Sequence, residues 1–232
     1  MKKILILGST GDIGQAVAKK LLGKQYENYM PVRDMKRGDE LYGAFPNAHL
    51  ESINLADPAN VEIYLQEQFS KGIVFDYILF MVGVFKMDDR KDNDKYFFDA
   101  PTPQERQKLS IAYHMENNVS TAQTLVDALY KIYGDQLPHT VFVPLSSHAA
   151  TFAVDDPRRV GEEGYVVSKA ALSALARKWK TEGMFADVIL EEPALIESRM
   201  TIDAIPDVVN DRSISRLQPD EYADQLLQKL NL

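Results

Sequence analysis

The sequence predicts an α/β domain, a doubly wound parallel sheet held between two layers of helices. Three observations predict it. Apolar runs of strand length alternate with stretches of helical periodicity along the chain. The first apolar run leads at once into a turn with glycines at every third position, and then into a helix. A central apolar run closes on the polar pair Ser146-Ser147, and sites of parallel sheets lie at such carboxyl ends.

The elements follow in order. Ile4 to Leu7 is an apolar run behind two lysines and suits a buried parallel strand. Gly8-Ser9-Thr10-Gly11-Asp12-Ile13-Gly14 comes next. Gln15 to Leu22 is helical, with Ile13, Val17 and Leu21 on one stripe. Strand, glycine turn and helix together point to a dinucleotide site, although a plain turn uses the same residue types. Gly8 would allow the tight turn, Gly11 the approach of backbone to pyrophosphate, and Gly14 the packing of helix on strand. The helix N-terminus would offer free N–H groups and a positive dipole end to phosphate.

A second strand over about Asn28 to Val32 ends in Arg33. An acidic residue at this edge favours NAD, whereas an arginine favours the 2′-phosphate of NADP. Asp34, Lys36 and Arg37 follow, a mixed charge pattern that also fits a solvated turn. NADP(H) is the expected cofactor, with NAD(H) the alternative. His49 to Ile53 reads as a third strand, and Asn54 and Leu55 at its end could flank an adenine. Pro58 suits the first turn of a helix to about Phe69. Phe75 to Val82 is a fourth strand that ends at Gly83.

Residues 84–102 are polar and carry the charged run Asp88 to Asp94, read as a surface loop without chemistry. Pro103 opens a long helix through Tyr133 that contains Asn117-Asn118. Val141 to Leu145 is the fifth strand, followed by Ser146-Ser147-His148. Tyr165 and Lys169 stand four apart, so a helix puts both on one face. An ammonium beside a phenol favours the phenolate, and the lysine is expected to pull the tyrosine pKa down from about 10.

Composition narrows the classes. The chain has 232 residues, of which 45% are hydrophobic and 26% charged, which fits one α/β domain over residues 1–232. A net charge of −8 argues against nucleic-acid and anionic-membrane binding. There is no cysteine, which excludes disulfides and thiolate metal sites and fits a reducing compartment. No apolar run reaches the length of a membrane span. Four scattered histidines make no metal cluster, so no metal is expected. The expected location is cytoplasmic.

Taken together, these segments resemble the short-chain dehydrogenase/reductase family over nearly the whole chain, from Lys3 to about Leu230. Gly8, Gly11 and Gly14 resemble the glycine turn of its extended and atypical branches. Asn118 in Asn-Val-Ser is similar to the Asn-Leu-x-Gly segment, with Asn117 the neighbouring choice. Ser147 resembles the catalytic serine, and Tyr165 and Lys169 followed by Ala170-Ala171 resemble the signature helix. Pro193-Ala194-Leu195-Ile196-Glu197-Ser198-Arg199-Met200 resembles the family's Pro-Gly-x-x-x-Thr-x-Met loop, with Ala194 for glycine and Ser198 for threonine.

The resemblance implies a Rossmann-like fold and hydride transfer between NADP(H) and a small carbonyl or alcohol substrate. It implies that Tyr165 moves the proton, that Ser147 holds the substrate oxygen, and that Lys169 tunes the tyrosine and binds the nicotinamide ribose. It implies that Asn118 holds a water. Cofactor contacts are implied for the glycine turn, Arg33, Asn54, Leu55, Gly83, Tyr165, Lys169, Pro193, Leu195, Ile196 and Ser198. Three departures stand out. The family's Asn-Asn-Ala-Gly is Phe80-Met81-Val82-Gly83 here, which is expected to alter packing at the cofactor wall. Ser147 precedes Tyr165 by eighteen residues, a longer spacing than usual, and the extra length holds Arg158 and Arg159. These two could read an anionic substrate group or lie in a solvated loop. The chain closes in a helix opened by Pro219, so the family's last strand is expected to be missing. The usual tetramer is then in doubt, and a homodimer through the long helices is possible. Residues 84–102, 148–164 and 194–215 are expected to wall the substrate pocket. Two other readings use the same residues: a dinucleotide-binding regulator without turnover, and an epimerase or dehydratase.

Overall fold

Alternation within the first strand, β1 (Lys3–Leu7), builds both faces of the molecule. Ile4 and Ile6 point into one apolar cluster and Leu5 and Leu7 into the other, all four fully or almost fully buried. This is the pattern of a strand covered on both sides. The computed structural model describes residues 1–86, 100–151, 161–205 and 215–232.

The other strands are β2 (Glu27–Val32), β3 (Ala48–Ser52), β4 (Tyr77–Phe80), β5 (Val141–Pro144) and β6 (Asp187–Val188). All pair in parallel, in the order β3-β2-β1-β4-β5-β6. The order reverses between β1 and β4. A crevice opens there at the carboxyl ends, where ligands of such sheets bind.

The helices are α1 (Asp12–Leu22), α2 (Met35–Tyr42), α3 (Pro58–Ser70), α4 (Pro103–Met115), α5 (Thr121–Tyr133), α6 (Glu163–Glu182), α7 (Arg199–Ala204) and α8 (Pro219–Leu230). One layer packs α3, α5 and α6 on Leu5, Ile78, Phe80 and Phe142. Trp179 of α6 is buried in this layer with its ring edge-on to Phe142, a core role. The other layer packs α1 and α8 on Ile4, Ile6, Leu79 and Val143. Among the described residues, no helix is long and apolar enough to cross a membrane.

The helix starts follow from their caps. Asp57 accepts from Ala59 N–H at 3.0 Å, with Pro58 in the first turn. Thr102 and Glu105 form a reciprocal box ahead of α4.

Three expectations need correction. The charged stretch after Arg33 is the helix α2, because Asp34 caps it through Arg37 N–H and buried Tyr42 anchors it. The fourth strand is shorter than its apolar run, since Phe75 is core lying ahead of it. The long helix from Pro103 is broken by a wider turn, Glu116–Ser120, in which Thr121 N–H reaches back five residues to Glu116 O. Such widened turns recur at functional sites. The charged run Asp88 to Asp94 and the pair Arg158 and Arg159 lie outside the described residues.

Candidate active site

The glycine turn closes the carboxyl end of β1. Gly8 has φ +81°, and a Cβ there would meet Met81 O at 2.7 Å. Gly14 lets α1 settle on the turn, for a Cβ would lie 2.1 Å from Gly8 O. Gly11 caps α1 in an extended conformation, and Thr10 O accepts from Gln15 Nε2. Buried Ser9 is tied to α2 by Tyr42, whose hydroxyl donates to Ser9 O at 2.5 Å. Ser9 Oγ is buried without a hydrogen-bond partner. Arg33 and Asn54 are exposed just past the carboxyl ends of β2 and β3. Asn54 Oδ1 accepts from Ala56 N–H, and half-buried Leu55 packs on the core.

A cavity of about 300 Å³ lies beside this turn, over the ends of β4 and β5. Ser147, Tyr165, Lys169, Gly83, Ile13, Pro193, Leu195, Ile196 and Ser198 all line it. The remaining expected residues, Gly8 to Asp12, Gly14, Arg33, Asn54, Leu55 and Asn118, are outside this lining.

Each side chain has a positional cause. Ser147 follows β5, and that loop is fixed to the loop after β6. Ser146 N–H donates to Glu191 O at 2.7 Å, and His148 N–H to Pro193 O at 2.9 Å. Tyr165 and Lys169 sit one turn apart near the start of α6. Gly164, just before the tyrosine, brings α6 against α4: a Cβ there would lie 2.4 Å from Ser110 Oγ.

Tyr165 is buried, with the Ser147 side chain close enough to act on its phenol. Phe85 covers its ring at 4.3 Å between centroids, and His114 meets it edge-on at 6.1 Å. Lys169 Nζ lies 5.6 Å from the Tyr165 ring centroid and donates to Leu145 O at 3.0 Å. The resemblance segments at Ser147, Tyr165 and Lys169 therefore meet in one pocket.

The electrostatics overturn the expected shift of Tyr165. Burial pushes its phenol up to about 12. The neighbouring Ser147 side chain acts the other way, and the nearby Glu162 carboxylate raises the value further. Lys169 takes the opposite course, since burial of its ammonium lowers it to about 8. The spacing brought the two groups together, but loss of water sets the direction of both shifts.

Asn118 is fully buried in the widened turn. Its amide donates to Val84 O and Ser168 Oγ, both at 3.0 Å, and accepts from Val84 N–H at 2.7 Å. Those bonds hold the segment after β4 against α6. Asn117 instead donates back to Tyr113 O. His114 is buried and neutral at neutral pH, because burial lowers it to about 4. Its Nδ1–H donates to Ser110 O and its Nε2 accepts from Lys86 N–H.

Sequence reasoning missed Phe85, assigned to a polar loop without chemistry yet buried against Tyr165. An aromatic two residues past Gly83 was the available signal. It also missed Glu162 as a buried acid on the pocket wall, and nothing in its local pattern marks it. Among the described residues, no group of three or more His, Asp or Glu could hold a metal ion.

No protein-family model matches the sequence, and no curated protein matches it significantly. Solved structures match its fold. An alcohol dehydrogenase from the archaeon Thermococcus sibiricus, complexed with 5-hydroxy-NADP, superposes with a TM-score of 0.76 at 17% identity, over 100% of this chain and 91% of that one. A short-chain dehydrogenase from Streptomyces avermitilis gives 0.75 at 16% identity, over 100% and 84%. A 3-ketoacyl-(acyl-carrier-protein) reductase from Brucella melitensis, complexed with NADH, gives 0.73 at 16% identity, over 97% and 88%. The chain has the Rossmann-like fold of short-chain dehydrogenases and reductases.

Proposed function

We propose that the chain is an NADP(H)-dependent reductase of a small carbonyl compound, with Tyr165 as the proton donor. One observation carries this reading: a phenol, a hydroxyl and an ammonium converge in one cavity at the sheet's switch point. The dinucleotide reading is supported by the cramped glycine turn, which leaves backbone open to a ligand at the start of α1. Among the solved structures that share this fold, several were crystallised with NADP or its analogue and one with NADH.

The bound dinucleotide would supply the hydride. Charge then grows on the substrate oxygen, and donors aimed there favour the transition state over the ground state. Ser147 and Tyr165 are hydroxyl donors on one wall of the cavity. A phenol held up to about 12 keeps its proton until that charge develops. Lys169, charged below about 8, favours proton loss from Tyr165 at that moment. The engaged amide of Asn118 leaves its main chain, in the widened turn, as the part able to hold a water. Phe85, Met81, Leu195, Met200 and Ile205 give the cavity apolar walls, which suits a small substrate with an apolar body.

The test is the loss of NADPH absorbance with a panel of ketones, aldehydes and quinones. Turnover with at least one is expected. Binding of NADPH without net consumption across the panel would instead favour the regulator or the epimerase. Arg33, exposed past β2, is proposed to read the 2′-phosphate. Arg33→Ala should raise the Michaelis constant for NADPH far more than for NADH. Equal effects would remove the preference for NADP(H).

A further inference from the structure

Asp12 opens α1 and Arg199 opens α7, 187 residues later. Asp12 Oδ2 accepts from Arg199 N–H at 2.6 Å, and Oδ1 accepts from Nε at 2.7 Å. Nη2 lies 2.6 Å from the same Oδ1. One carboxylate thus holds both the backbone and the guanidinium of a single residue. The residues on either side of this pair line the cavity: Ile13 next to Asp12, and Ser198, Met200 and Thr201 around Arg199. The pair therefore joins the glycine turn to the segment 195–201 across the cavity mouth. On its far side the same segment is held by Leu217, which exchanges backbone hydrogen bonds with Leu195 and Glu197.

We infer that Asp12 and Arg199 are positioning residues that clasp the segment 195–201 over the dinucleotide crevice and slow the cofactor's release. The inference rests on the dinucleotide reading above. An acid beside a pyrophosphate is otherwise unfavourable, since like charges repel. Arg199 cancels that charge while it fastens the segment. The acid is fixed at the first turn of α1, where the helix dipole favours it. Arg199 is two-thirds exposed and Asp12 about one-fifth, so the clasp can open without unfolding the core and weakens in salt.

The experiment measures NADPH release by stopped-flow displacement from wild type, Asp12→Asn, Arg199→Gln and the double variant, at low and high sodium chloride. Release from each single variant should be about two- to fivefold faster than from wild type at low salt. The double variant should be no faster than either single one, as expected of partners in one interaction. Wild-type release should quicken with salt more steeply than the variants' release does. Unchanged release, or additive single effects, overturns the clasp. Faster release from Arg199→Gln but not from Asp12→Asn also overturns it, and assigns Arg199 to the phosphate directly. Wild type that binds neither NADPH nor NADH overturns the dinucleotide reading itself, a result distinct from all of these.

Discussion

Lys169 shows how one residue sets both chemistry and cost. Its ammonium is buried among Leu145 O, Gly83 and the Tyr165 ring, and burial lowers it to about 8 from the ordinary 10.5. The folded chain therefore binds fewer protons than the unfolded chain between about pH 8 and 10.5. Stability linked to this group is lowest below about pH 8 and recovers as pH rises towards 10.5, by about 3 kcal/mol in all. Lys169→Met should then unfold at no lower denaturant concentration than wild type at pH 7. The kcat/KM for the cofactor, which reports groups of the free enzyme, should be flat to about pH 7 and fall as pH rises through about 8. A fall centred near 10.5 would contradict the burial argument. The four-residue spacing made the Tyr165–Lys169 pair legible in the sequence. The direction of the tyrosine shift was not legible, because desolvation depends on Phe85 and His114, which reach the ring from two other segments.

At the scale of elements, strands and caps were readable and close approaches were not. Ile4 to Leu7 followed by Gly8 identifies β1 and its turn through local pattern alone. The contact of α4 with α6 is different, since it depends on the missing side chain of Gly164 against Ser110 and His114. A Cβ there would also lie 2.7 Å from Ser110 backbone, so trimming one side chain cannot fully relieve it. Gly164→Ala should lose about 1–3 kcal/mol by overpacking and should lower turnover, because the next residue is Tyr165. Adding Ser110→Ala should restore part of the stability. Thermal unfolding and steady-state rates check both, and an unchanged Gly164→Ala would contradict the packing described. The widened turn at Glu116–Ser120 was equally hidden, for its residues read as ordinary helix.

At the scale of the molecule, the sheet is held by two apolar layers, and the site belongs to their common edge. α8 covers the layer that contains Ile4, Ile6, Val17 and Leu21, with Leu226 almost fully buried in it. Leu226→Ala should cost about 2–5 kcal/mol by denaturant unfolding while the rate at saturating substrates stays near wild type. A cost below about 1 kcal/mol would mean that α8 is not part of this core. The parallel sheet followed from the alternation of strands and helices, and the meeting of Ser147 with Tyr165 from the resemblance at those two segments. The joining of Asp12 to Arg199 did not, since it spans most of the chain. The most direct measurement is single-turnover oxidation of bound NADPH by the best carbonyl of the panel, in wild type and Tyr165→Phe. The variant should bind NADPH as wild type does and react about 10²–10⁴-fold more slowly. An equal rate in the two proteins would show that the phenol moves no proton in the reaction.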